Sequence, residues 1–103
     1  MHPSIAKHRD EIITLCKKYG VLKLEIFGSA ARELDFDENN SDVDFIARFA
    51  SVHSAGAFTD FFSFSNSLEQ VIGRHVDLIE DMPIRNTRLR HSIDESRELV
   101  YAA

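Results

Sequence analysis

VLKLEIFGSAAR, residues 21–32, is the stretch on which the fold turns. Leu22, Leu24 and Ile26 alternate with Lys23 and Glu25, a period of two that belongs to a strand. The strand runs directly into Gly28-Ser29, and SAARELD follows as a short helical turn. A glycine at a strand end lets the backbone approach a ligand closely. The helix start beyond it offers unpaired N–H groups and a partial positive charge, which suit an anion. Ser29 reads as an N-cap, as an added hydroxyl for that anion, or as both. Arg32, one turn later, reaches either a phosphate or an acid of the following loop.

Working outward, residues 4–19 carry Ile5, Ile12, Leu15, Cys16 and Tyr19 at helical spacing. Ser4 behind Pro3 reads as the cap of that helix and Gly20 as its stop. An acidic loop spans 35–41. DVDFIARF (42–49) is a second strand, with Val43, Phe45, Ala47 and Phe49 on one face and Asp42, Asp44, Ile46 and Arg48 on the other. After a small-residue loop (50–56), Phe58, Phe61, Phe62, Ser65, Leu68 and Ile72 mark a helix that stops at Gly73. Its phenylalanines read as core packing. HVDLIE (75–80) is a third strand, with His75, Asp77 and Ile79 opposite Val76 and Leu78. Pro83 breaks the chain, and Leu89, Ile93, Ser96 and Val100 trace a C-terminal helix. The alternation of helix and strand predicts an α+β fold, a mixed β-sheet covered by helices. With no internal repeat or linker, residues 1–103 read as a single domain.

Composition bounds the function. The chain is 44% apolar with eight phenylalanines and two tyrosines, as a folded domain requires. It has no apolar run of the roughly 18 residues a membrane helix needs. MHPSIAKHRD lacks the apolar core of a signal peptide. The single cysteine, Cys16, reads as a buried packing residue, and its lack of a partner fits a reduced, cytoplasmic compartment. The net charge is −5, with 12 basic against 17 acidic residues, so a nucleic-acid substrate is not expected. The densest basic stretch, Arg85, Arg88, Arg90 and His91, reads as the solvated face of a helix.

The acids carry the chemistry. Asp42 and Asp44 are two apart on one strand, so their carboxylates point the same way. Asp77 sits in an apolar strand where an acid is unexpected. All three converge if the third strand lies beside the second. Two like charges about 4 Å apart repel by roughly 4 kcal/mol at an effective dielectric near 20. A domain whose total stability is about 5–15 kcal/mol keeps such a cluster only with a cation or shared protons. Oxygen-only ligands suit Mg²⁺ or Mn²⁺, which complete their shells with water and substrate phosphates.

GSAAR (28–32), SDVDF (41–45) and RHVDLIE (74–80), together with the ending RLRHSIDESRELVYAA, resemble the minimal nucleotidyltransferases, the MNT-type members of the DNA polymerase β superfamily. The likeness covers nearly the whole chain. It implies a palm-like sheet in which Asp42 and Asp44 hold two metal ions. It also implies that Asp77 completes the site and aligns an attacking hydroxyl, while Gly28 and Ser29 grip a triphosphate. ATP is the implied donor. One departure stands out: many members follow the motif arginine with glycine, whereas this chain has Glu33 and then Asp35, Asp37 and Glu38.

Members of this minimal class pair with HEPN-type RNase toxins as antitoxins, so the resemblance implies a toxin tyrosine as AMP acceptor. Two other readings remain beside that one. The chain neutralises a toxin by contact alone, or it modifies a small molecule or nucleic acid. His75 shares a face with Asp77 and reads as a strand-end or supporting residue.

Overall fold

The computed structural model describes residues 1–32, 42–50, 57–81 and 87–103. Strand β1, Val21–Phe27, lies inside the sheet between two partners. Strand β2, Val43–Phe49, pairs with it antiparallel. Strand β3, Val76–Glu80, runs parallel to β2. A parallel pair needs a crossover, since a tight turn cannot return the chain in the same direction. The helix Ala57–Ile72 lies in that crossover and ends at Gly73, whose φ is +80°. The acidic loop at 35–41 and Pro83 lie outside the described residues.

The C-terminal segment departs from expectation. Thr87–Ser96 is a helix, but Glu98–Ala102 is a fourth strand, β4, antiparallel to the free side of β1. The sheet order is β3-β2-β1-β4. Val100, read from the sequence as the last apolar position of a helix, is instead a buried strand residue. A run as short as LVYA satisfies both periods, and only the open edge of β1 selects between them. The mixed sheet covered by helices is as predicted, with one strand more.

The N-terminal helix also differs. It is two helices, α1 (Pro3–Ala6) and α2 (Arg9–Lys18), with a turn at Lys7-His8. His2, not Ser4, provides the cap, accepting the Ser4 N–H at its Nδ1 (3.1 Å). The His2 N–H donates to Ala30 O at 2.8 Å. That contact ties α1 to a residue far along the chain, and local spacing carries no sign of it. Ile5 and Ile12 remain fully buried despite the break.

Both faces of the sheet are used. On one, Leu24, Ile26, Phe45 and Val76 pack with Ile12, Cys16, Phe64 and Leu68 in the main core. On the other, Phe27 and Ile46 pack with Ile93 of the helix Thr87–Ser96, and Ile79 joins them. A bulge between Val21 and Lys23 buries Val21 and turns Leu22 outward, so Leu22 leaves the face that its spacing assigned to it.

Glu25 is the one buried charged residue among those described. It lies on β1, and Arg97, in the junction before β4, donates to it twice, at 2.8 Å from Nε and 2.6 Å from Nη2. A two-point guanidinium–carboxylate pair fixes geometry as well as charge. The Arg97 hydrogen bonds hold the Glu25 carboxyl below its usual range. A depressed acid contributes stability above its unfolded pKa and loses it as pH falls through the folded value. Removing one partner of a buried pair strands the other, so Arg97→Ala should cost about 3 kcal/mol in urea unfolding at pH 7. The deficit should shrink below about pH 4, where Glu25 protonates in the unfolded chain.

Candidate active site

The ladder between β2 and β3 places Asp44 directly beside Asp77, and the ladder between β1 and β2 places Phe27 on the other side of Asp44. Neighbouring strands are about 4.8 Å apart, so the two carboxyls share one short row across the sheet. They lie on the face that carries Phe27, Ile46 and Ile79. Asp42 immediately precedes β2 and is exposed. Asp44 is half-buried, and its carboxyl is pushed up to about 6. Burial is the first cause; the charges of Asp77 and Asp42 follow, and Arg32 opposes them. The three acids are therefore near enough to act on one another.

Gly28 follows β1 with φ +73°, a conformation that side chains rarely adopt. A Cβ placed there would lie 2.5 Å from Asp44 Oδ2. The position thus needs glycine twice over, for its backbone angle and for its approach to Asp44. The Gly28 carbonyl accepts the N–H groups of Ala31 and Arg32, each at 3.1 Å, which starts the short helix Ser29–Arg32. The Gly28 N–H donates to Ser96 Oγ at 2.9 Å. Ser96 thus engages a backbone donor beside the position that the sequence offers to an anion. Ser29 is half-buried and Arg32 exposed, at the two ends of this turn. Glu33, Asp35, Asp37 and Glu38 lie outside the described residues.

His75 is more involved than its place at a strand end suggests. Its Nε2 lies 3.2 Å from Asp77 Oδ1, and its Nδ1 lies 3.0 Å from Glu69 Oε1. Asp42, His75 and Asp77 each offer a ligand atom within 4.8 Å of the others. The hydrogen bond to Asp77 raises the His75 pKa above its ordinary value. The spacing of two between His75 and Asp77 was the available signal. Glu69 gave none, because it sits on a helix and meets His75 only through the fold.

This donor set fits a divalent cation. It is rich in carboxylate oxygens, and the Asp44 carboxyl, raised first by burial and then by the charges of Asp77 and Asp42, would be relieved by bound positive charge. Elsewhere the fold leaves less chemistry. Burial pushes the Cys16 thiol up to about 12, so it is inert packing. Arg90 pairs with Asp94 and His91 with Glu95, one helical turn apart, as the solvated helix face requires. Arg85 lies outside the described residues. No helix among the described residues is long and apolar enough to cross a membrane.

The family described as "Polymerase beta, Nucleotidyltransferase" matches residues 10–103. The chain belongs to that family. A Methanocaldococcus jannaschii protein named "Putative protein adenylyltransferase" is 33% identical to this nucleotidyltransferase-family chain over 84 residues, 82% of this chain and 79% of the relative. A solved structure described as a "putative minimal nucleotidyltransferase" superposes with a TM-score of 0.72 at 23% identity, over 95% of each chain. A structure of a tri-AMPylated Shewanella oneidensis HEPN toxin in complex with MNT antitoxin superposes with a TM-score of 0.64 at 15% identity, over 96% of this chain and 73% of the other. These last two establish the shared fold.

The raised Asp44 pKa has a measurable consequence. An acid whose folded pKa is raised lowers stability as pH climbs from about 4, its unfolded value, through about 6. In EDTA, Asp44→Asn should therefore melt several degrees above wild type at pH 7.5 and close to it at pH 4.5. An equal difference at both pH values would contradict a raised Asp44 pKa.

Proposed function

We propose that this chain is an antitoxin nucleotidyltransferase that transfers AMP from ATP to a hydroxyl, a tyrosine side chain, of a HEPN-type RNase toxin in the cytoplasm. The observation that carries this reading is the pairing of Asp44 with Asp77 on adjacent parallel strands, with Asp42 at the entry to the first. The adenylyltransferase name of the relative and the toxin–antitoxin structure with the same fold support the choice of AMP and of a protein acceptor.

In this reading Asp42, Asp44 and Asp77 hold two Mg²⁺ ions, or Mn²⁺, which when bound supply positive charge to the phosphates and acidify the acceptor hydroxyl. Gly28 and Ser29 lie against the triphosphate, where the missing Cβ leaves room beside Asp44. Arg32 adds positive charge on the same side. Asp77, at the exposed edge of the row, aligns the acceptor and takes its proton. The hydroxyl oxygen then bonds to the α-phosphorus, the bond to the bridging oxygen breaks, and pyrophosphate leaves. The acceptor approaches from the exposed side of Asp77 and Asp42 and belongs to the partner protein. AMP attached near the toxin's RNA site blocks it by bulk and negative charge.

The test combines the chain, ATP, Mg²⁺ and a HEPN protein encoded beside it, followed by intact-mass measurement. The expected outcome is an AMP-sized gain on the partner, absent with Asp42→Asn or Asp44→Asn. Full neutralisation of the toxin by both variants would mean that contact alone suffices.

A further inference from the structure

Glu69 and His75 stand beside the acid cluster without a part in the transfer just described. Glu69 is near the end of the helix Ala57–Ile72, and its Oε1 accepts the Val76 N–H at 3.1 Å at the start of β3. The same oxygen lies 3.0 Å from His75 Nδ1. The imidazole is thus held from behind by a carboxylate that is itself fixed to the backbone, and its Nε2 faces Asp77.

We propose that His75, oriented by Glu69, is a nitrogen ligand that makes this site prefer first-row transition-metal dications, Mn²⁺ among them, over Mg²⁺. The inference rests on the reading of Asp42 and Asp77 as metal ligands and adds a residue and a selectivity to it.

Three observations carry it. Metal-bound histidines commonly give their second nitrogen to a carboxylate, which fixes the ring and raises its basicity. Glu69 does this here at Nδ1, leaving Nε2 toward the acids. Second, His75 Nε2 and Asp77 Oδ1 are 3.2 Å apart. Two adjacent ligands at right angles around an ion with bonds of about 2.1 Å are separated by about 3.0 Å, so the pair is already spaced to share one. Third, Asp42 reaches the same group, giving two oxygens and one nitrogen within 4.8 Å. Mg²⁺ is bound almost wholly by oxygen, whereas first-row transition dications gain affinity from imidazole, Mn²⁺ least among them. Asp44, deeper on β2, falls outside this trio and remains available to a second ion.

A purely structural role is the competing account. There the Glu69–His75 pair braces the turn from helix to β3, and its loss lowers stability without changing which ion binds. The experiment titrates Mn²⁺ and Mg²⁺ separately into the full chain without nucleotide by calorimetry, and records pulsed EPR of the Mn²⁺-loaded protein. Wild type should bind Mn²⁺ more tightly than Mg²⁺ and show nitrogen coupling. In His75→Ala the Mn²⁺/Mg²⁺ affinity ratio should fall about tenfold and the coupling should vanish, with Glu69→Gln between the two. An unchanged ratio and coupling in His75→Ala would overturn the proposal and leave the brace. Asp77→Asn serves the underlying reading: it should weaken binding of Mn²⁺ and Mg²⁺ alike, and if it binds them like wild type, Asp77 is not a metal ligand and that reading fails.

Discussion

Asp44 beside Asp77 is the constraint from which the rest of the site follows. Two acids on neighbouring strands, one of them half-buried, oppose folding unless a proton or a cation intervenes. The fold holds them there because their strands are fixed elsewhere. Val43 and Phe45 flank Asp44 in the main core, and Val76 and Leu78 flank Asp77 against the same layer. Because side chains alternate along a strand, burying those residues on one face obliges the two acids onto the other. The apolar pattern thus provides the energy that keeps the charges together.

The opposite side of the site is held by the C-terminal segment. Ser96 accepts the Gly28 N–H, and Arg97 locks Glu25 on β1. These neighbouring residues join the last helix and β4 to the strand that delivers Gly28. The turn at Gly28 is consequently placed by its own positive φ, by Asp44 in front and by Ser96 behind. β4, which the sequence pattern did not reveal, is therefore part of the framework of the site rather than a tail.

The site is deep on one side and open on the other. Asp42, His75 and Asp77 are exposed, whereas Asp44 is half-buried against Gly28. In the reaction proposed above, that asymmetry suits a second substrate that is itself a folded protein, which would meet the open residues. The net charge of −5 adds a bias against a nucleic-acid acceptor.

The sequence by itself determined the three strands that carry Asp44 and Asp77 and that Gly28 and Asp42 adjoin. It also put the acids on a face opposite the core, because period-two patterning and a glycine at a strand end are local signals. It did not determine that β3 runs parallel beside β2; it only made convergence conditional on that neighbourhood. It misassigned Val100, whose strand depends on the distant partner β1, and it missed the break between α1 and α2. The Glu69–His75–Asp77 line and the Ser96–Gly28 hydrogen bond were decided by tertiary structure alone. Each joins residues on different elements, and side-chain contact between elements is set by how they pack, which local periodicity does not encode.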